Sequence, residues 1–319
     1  MSERENPETY SDRPVMVIGA SGLDMIGTLK GDPVEGASNP AAIRVSYGGV
    51  GRNVAENIAR LGQPVRLVTA VGADAVGQEL LERTEQAGVD VHACLQCSSA
   101  ATSSYLAVFN ADGTRRVVLE DMSILEELSP DHIREHQSFM AESALIFVDL
   151  NLPPDTLRAV FEQAHQMNIP ICADATSPRL VTRLGPYLDH LTMLTANMAE
   201  ASALCDNKPR VTDETSALAA ARQMVNRGVE LAVVTLAEFG VVYATSETSG
   251  HIPAINTSII DPTGAGDALT ATIIFGLLND IPIDESVRLG VTAASLILRF
   301  RGTVLPGLSL EKLYDELVI

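Results

Sequence analysis

A chain of 319 residues that is 46% hydrophobic and 4% aromatic carries enough aliphatic side chain for one sizeable α/β domain, which excludes disorder over most of its length. A net charge of −19, with no cluster of Lys or Arg to offset it, excludes nucleic-acid polymers and anionic membranes as partners. No apolar run reaches membrane-spanning length, and the start MSERENPETYSDR lacks the basic-then-apolar order of a signal peptide, so a cytoplasmic protein is expected. Cys94 and Cys97 have a spacing that metal or redox chemistry uses, but no second pair accompanies them; with Cys172 and Cys205 they read as reduced thiols.

Residues 1–13 read as a disordered tail and 14–319 as the folded domain. VMVIGA, from Val15 to Ala20, is a continuous apolar run of strand length, the mark of a buried parallel strand. The glycines of GASGLDMIG resemble a dinucleotide turn, yet KGDPVEGASNP follows where that fold needs a helix, which leaves Asp24 as an acidic group just past a strand end. AIRVSY is expected as a strand. The cluster GGVGRN, Gly48 to Asn53, then leads into VAENIARLG, whose apolar residues recur at helical spacing and stop at Gly62. VRLVTAVG and a helix over about 74–86 complete a strand–helix rhythm that predicts a doubly wound, mostly parallel sheet.

From about 91 to 122 the pattern changes to the alternating segments TSSYLAVF and TRRVVLED around a turn at Asn110 to Gly113, a hairpin. With 26–47 it predicts a small inserted β-sheet placed as a lid over the Asp24 side. The helix–strand rhythm then returns: helix 130–141, strand ALIFVDL, helix 154–167, strand IPICAD, and strand HLTML leading into Asn197. NMAE offers the Asn197 amide and, one turn later, the Glu200 carboxylate on the same helix face. A helix over 213–226, strand LAVVTL, the turn AEFG, further strand as far as Ile260, and three helices starting near Gly264, Asp284 and Ser309 close the chain.

DPTGAGDALTATIIFGLL, Asp261 to Leu278, is the stretch richest in chemistry. A turn of small residues enters an apolar helix, with Thr263 placed to cap it and Gly264 and Gly266 allowing close backbone approach. Free N–H groups at such a start attract an anion, so a carboxylate there, Asp267, has two readings. It is the base of a phosphotransferase, facing a hydroxyl about to attack phosphate, or an ordinary acid that complements the helix dipole.

Taken together, GGVGRN with Gly49, Gly51, Asn53, Ala55, Gly62 and Gly72, and DPTGAGD, resemble the paired signatures of the ribokinase-like (phosphofructokinase B type) carbohydrate and nucleoside kinases, over about 15–317. Thr272 and Ala237 depart from the family's usual residues. The resemblance implies an ATP-dependent kinase with Asp267 as base and Gly264, Ala265 and Gly266 as the anion hole. It further implies Asn197, Thr235 and Gly240 beside the nucleotide, Glu200 holding Mg²⁺ through water, and a K⁺ site near Asp261 and Thr263. Asp24, Gly48, Gly49 and Asn53 are similar to the family's sugar-hydroxyl ligands. The plain alternatives are a turn cap for Asp24, a helix-start residue for Asn53 and a solvated helix carboxylate for Glu200.

Within the family, SNPAAIRVSYGGVGRN, TSSYLAVFNADG and the pair Asp121–Met122 are most similar to the pseudouridine-kinase branch, with Arg52 inside the glycine motif. This implies transfer of the γ-phosphate to the 5′-hydroxyl of pseudouridine, with Ser38, Asn39, Thr102 and Ser104 as polar partners of the base and Met122 as an apolar wall. The alternatives are a kinase of another nucleoside or a furanose sugar, a non-catalytic sensor on the same fold, or a nicotinamide enzyme, the last opposed by the missing helix after Gly22. The resemblance also admits a homodimer through the β lid.

Overall fold

Val15–Ile18 (β1) is buried on both faces, as an unbroken apolar run requires, because helices cover the sheet from either side. In this computed structural model, which describes residues 12–206 and 210–317, Met16 and Ile18 pack on one side with Leu157, Val160 and Phe161, and Val15 and Val17 on the other with Val54, Ile58 and Ile273. That alternation makes the sheet doubly wound.

The chain continues through β2 (Gly22–Leu29), β3 (Ala41–Gly48), α1 (Val50–Arg60), β4 (Val65–Val68), β5 (Ala70–Gly72), α2 (Ala75–Gln86), β6 (Leu95–Cys97), β7 (Ser103–Phe109) and β8 (Arg115–Asp121). Next come α3 (Pro130–Glu135), α4 (Gln137–Glu142), β9 (Leu145–Asp149), α5 (Pro154–Met167), β10 (Ile171–Asp174), β11 (Leu191–Asn197), α6 (Met198–Leu204) and α7 (Glu214–Asn226). β12 (Leu231–Thr235), β13 (Val241–Ala244), β14 (Ser249–Ile252), α8 (Ala265–Leu278), α9 (Ile283–Leu298) and α10 (Leu310–Asp315) follow.

The eight-stranded main sheet has the order β14-β13-β12-β11-β10-β9-β1-β4, parallel from β12 to β4 and antiparallel at the β13 and β14 edge. Parallel strands end together, so the residues that close β1, β9, β10, β11 and β12 gather at one edge, where open α/β sheets take ligands. α8 is buried nearly all round, because it lies between the sheet, α1 and α9; the absent side chain of Gly276 lets Ser286 approach.

A separate four-stranded sheet has the order β3-β2-β7-β8. It spans 22–48 and 103–121, not 26–47 and 91–122: β2 begins directly after the β1 crossing, and the segment after Val91 forms β6, which pairs with β5. Three further expectations change. The 130–141 helix breaks into α3 and α4 at His136, strand pairing after β12 ends at Ile252 and not Ile260, and residues 1–11 of the expected tail lie outside the described residues. Arg13, also assigned to that tail, is tied down, donating to the carbonyls of Ala141, Glu142 and Ser143 at 3.1, 3.1 and 2.8 Å. Among the described residues no helix is long and apolar enough to cross a membrane, and no group of three His, Cys, Asp or Glu is placed to hold a metal ion. All four cysteines are free thiols, and Cys94 donates to Leu67 O at 3.2 Å.

Candidate active site

The glycine motif before α1 serves close approach. Gly49 sits at φ 97°, and a Cβ there would collide with the Ala20 carbonyl; a Cβ on Gly51 would lie 2.8 Å from Gly19 Cα. Gly48 has no room for a Cβ either, because the Asp24 carboxylate occupies that space. α1 is thereby pressed against the β1–β2 crossing.

One buried carboxylate pins this junction, and sequence reasoning missed it. Asp149, the last residue of β9, accepts from Ala20 N at 2.6 Å and Gly51 N at 3.0 Å through one oxygen. The other oxygen accepts from the backbone and side-chain nitrogens of Asn151, both at 3.0 Å. Burial raises its pKa, and those four donors oppose the rise. Asp174, which closes β10 in the same way, is held well above the usual carboxylate range by burial and by the neighbouring charges of Glu200, Asp267 and Asp149. The available signal was an Asp ending each apolar strand, ALIFVDL and IPICAD, at the ligand-binding edge.

α8 starts beside α1. Asn53 Nδ2 donates to Asp267 Oδ2 at 2.7 Å, which unites the two glycine motifs in one site. Burial, then repulsion from Asp24 and Asp149, pushes the Asp267 pKa up to about 7 against the opposing Asn53 hydrogen bond. Asp24 is likewise raised to about 7 by burial and Asp261, with Arg52 opposing. The charge on Asp24 is thus one of the groups that hold the Asp267 pKa up.

Gly264, at φ 84°, is the N-cap of α8 and faces the Thr303 carbonyl where a Cβ would stand. Thr263 is therefore not the cap that was expected: its backbone N–H donates to Asp261 Oδ1 at 3.1 Å. Asp261 Oδ2 also accepts from Arg44 Nη1 of β3 at 2.9 Å, a bond that ties the small sheet to the start of the motif. The first-turn amides of Ala265 and Gly266 have no intrahelical acceptors by helix geometry, and that of Ala265 makes only a long bond, 3.4 Å, to Pro262 O.

On the far side, Asn197 closes β11 and caps α6. Its Oδ1 accepts from Ala199 N and Glu200 N at 2.9 and 3.0 Å, while Glu200 accepts from Asn197 N and Nδ2, both at 2.7 Å. This capping box leaves each Glu200 oxygen one further acceptor site, and burial raises the Glu200 pKa. Thr235 stands beside Asn197 in the β11–β12 register. Gly240, at φ 96°, admits the close passage of Ile252 O, and Ala237 holds φ 51°, a left-handed value that explains a glycine preference at its position.

The polar residues expected on the small sheet are not brought together. Asn39 bonds within its own turn, to Val34 N and O and to Ala37 O; Ser38 is exposed. Thr102 donates to Asp74 Oδ1 at 2.8 Å and accepts from Gly72 N at 3.0 Å, locking the start of α2. Ser104 pairs with Leu23 and so stands on the opposite face from Asp24, whose cross-strand neighbours are Ser46 and Tyr105.

With this geometry in view, the sequence matches the pfkB family of carbohydrate kinases over residues 12–309. It is 32% identical over 297 residues to the pseudouridine kinase of Escherichia coli strain K12, covering 93% of this chain and 94% of that one. It is 26% identical over 289 residues to the guanosine-inosine kinase of Exiguobacterium acetylicum, covering 89% and 94%. Its fold superimposes on that of Arabidopsis thaliana ribokinase complexed with ribose and ATP, with a TM-score of 0.83, 21% identity, and coverage of 97% of this chain and 99% of that one. A half-buried, asparagine-held carboxylate at a glycine-built helix start and a match along nearly the whole sequence agree: this chain belongs to the pfkB family of carbohydrate kinases.

Proposed function

We propose that the protein transfers the γ-phosphate of ATP to the 5′-hydroxyl of pseudouridine. The observation that carries the phosphotransfer reading is Asp267, whose half-buried carboxylate is held by Asn53 at 2.7 Å and raised to about 7, a value suited to accepting a proton near neutral pH. The pseudouridine kinase relative supports the choice of substrate, at 32% identity.

In this reading Asp24 accepts from the ribose diol, with the backbone of Gly48 and Gly49 behind it. Asn53 orients Asp267, and Asp267 takes the proton of the attacking hydroxyl. The amides of Gly264, Ala265 and Gly266 receive the negative charge that spreads over the transferred phosphoryl oxygens. Thr235 and Gly240 flank the nucleotide. Ser46 and Tyr105, which share the face of Asp24, are better placed for the base than Ser38, Asn39, Thr102 or Ser104.

The residues on the nucleotide side fit Mg²⁺ carried in by the phosphates. Glu200 retains an acceptor site on each oxygen for its water ligands, with Asn197 holding it in place, and no direct cage of three carboxylates or imidazoles competes among the described residues. Such an ion neutralises charge on the phosphates when bound. A K⁺ ion near Asp261 would share its carboxylate with the Arg44 guanidinium and the Thr263 N–H, each of which takes one acceptor site on a different oxygen.

The outer face of the small sheet exposes Ile43 and Val45 on one edge strand and Val117 and Leu119 on the other, with half-buried Met25, Leu106 and Val108 on the strands between, and we propose that it pairs with a second copy to form a homodimer. Ile43→Lys should then lower the molecular mass seen in sedimentation to that of the monomer; a parent protein that already sediments at 33.9 kDa would refute the dimer. The catalytic reading is tested by incubating the protein with ATP, Mg²⁺ and pseudouridine and locating the new phosphate by ³¹P NMR. A 5′-monophosphate is expected. Phosphate on another carbon, or no product, would reject it.

A further inference from the structure

Arg52 is buried at the first turn of α1, between the base and the rest of the molecule, and no step above uses it. Its Nη2 forms an ion pair with Glu56, whose other oxygen accepts from Arg60 Nε at 2.9 Å, so the cation is neutralised from one side. Its Nη1 points the other way, reaching Asn53 Oδ1 and Tyr47 O at 3.2 Å each and Thr303 Oγ1 at 3.5 Å. Each of those partners leads into the site. Asn53 holds Asp267, Tyr47 adjoins Gly48 at the end of β3, and Thr303 packs its carbonyl against Gly264. Behind the guanidinium lies a cavity of about 580 Å³ lined by Tyr47, Glu56, Arg60, Glu79 and Arg83, so Arg52 forms the wall between that space and Asn53.

The two ends of an asparagine amide have nearly the same shape, and only their partners decide which end faces where. With a guanidinium on one side and a carboxylate on the other, a single orientation satisfies both: oxygen toward Arg52, NH₂ toward Asp267. The reverse would set N–H against cation and C=O against carboxylate. We infer that Arg52 is a positioning residue that fixes the Asn53 amide so that it donates to Asp267, and that it links this setting to the Gly48 and Gly264 turns through Tyr47 and Thr303. The inference rests on Asp267 being the base.

The charged groups that act on Asp267 are Asp24 from β2, Asp149 from β9, Asp174 from β10 and Arg52 from α1. Arg52 alone favours the ionised form, for Asp267 and for Asp24 alike. Removing its charge and disordering Asn53 must each move the acid limb of the kcat profile upward, so keeping the charge while losing the fork must still disorder Asn53 but move the limb less than losing both.

Steady-state kinetics with pseudouridine and ATP across pH would decide. Arg52→Gln is expected to lower kcat on the order of tenfold or more, with the KM for ATP within about threefold, and to raise the acid limb by about half a pH unit. Arg52→Lys, which retains the cation and serves if the glutamine variant does not fold, should lower kcat and raise the limb by less than Arg52→Gln does. In an Asn53→Ala background the loss from Arg52→Gln should shrink to about twofold or less, because the group it acts through is gone. Losses that multiply, together with a limb unmoved in Arg52→Gln, would reduce Arg52 to a structural ion pair. Parent-like kcat in Arg52→Lys would overturn the orienting role. Asp267→Asn, run alongside, separates the two failures: substantial turnover there withdraws the base assignment itself.

Discussion

Around Asp267 the side chains are buried and bound several times over: Asp149 accepts four hydrogen bonds, Arg52 spans Glu56, Tyr47, Asn53 and Thr303, and glycines stand where a Cβ would collide with backbone. The small sheet is built differently. Six of the seven residues of β8 are exposed, β3 shows Ile43 and Val45 to solvent, and Arg44 reaches Asp261 from a side chain that stays 40% exposed. A rigid frame suits groups that must meet a reacting atom to within a fraction of an ångström, and a loosely held sheet suits the side that selects and covers a substrate. Substitutions in the first region should therefore remove activity or the fold, and those in the second should adjust binding.

The largest effect is expected from Asp267→Asn. The amide keeps the shape but accepts no proton, so kcat should fall on the order of 100-fold or more while nucleoside binding is largely kept. Turnover within a few-fold of the parent would remove Asp267 from the mechanism. The same group sets a pH dependence. Asp267 must be ionised to take the hydroxyl proton, so kcat should fall as pH drops below about 7. Stability runs the other way. A carboxyl whose folded pKa is raised stabilises the fold below its unfolded value of about 3.9 and loses that contribution as pH rises through the folded value. Asp267→Asn should thus melt higher than the parent above pH 7, and the gap should close toward pH 4; a gap that widens in acid would contradict the sign.

A pair of alanines sharpens the contrast between the regions. Gly49→Ala places a Cβ against Ala20 O at a φ of 97°, and should cost more than the roughly 1 to 2 kcal/mol of left-handed strain alone. Gly36→Ala, in the loop between β2 and β3, has φ 73° with nothing within 4 Å, so it should cost no more than that strain. Equal losses in denaturant unfolding would mean that the frame is no tighter than the sheet.

Asp24→Ala carries the smallest expected change in rate-limiting chemistry, and a selective one in binding. Charge-assisted hydrogen bonds to ribose hydroxyls contribute about 1.5 to 3 kcal/mol each, so nucleoside affinity should drop at least tenfold. ATP affinity should hold. Calorimetry showing equal losses for both ligands would move Asp24 out of the sugar site.

Much of the rigid region was legible in the sequence because its devices are local. GGVGRN and DPTGAGD announce glycine-built helix starts that contain Asn53 and Asp267, and Asp24 stands just past a strand end in GASGLDMIG. What stayed hidden depends on partners distant along the chain. Asp149 and Asp174 look like ordinary strand-final residues until Gly51 or Glu200 is placed beside them, and nothing in TSSYL marks Thr102 as spent on Asp74. Ser104 and Tyr105 differ by one position, yet the pleat sends them to opposite faces, so residue type alone could not tell which of them shares the face of Asp24. Thr263 failed as a cap for a related reason: the helix begins one residue later, and Asp261 claims its N–H.

The central claim is that this frame phosphorylates a nucleoside, and pseudouridine in particular. Pseudouridine differs from uridine in its carbon-linked base, which exposes an additional ring N–H; a buried acceptor left unmatched by uridine would cost about 1 to 3 kcal/mol, enough for roughly tenfold discrimination. The most direct measurement is kcat/KM for pseudouridine, uridine, guanosine, ribose and fructose, side by side at saturating ATP and Mg²⁺. Pseudouridine should exceed each of the others by about tenfold or more. A higher value for ribose or fructose would contradict the nucleoside assignment and leave only the family.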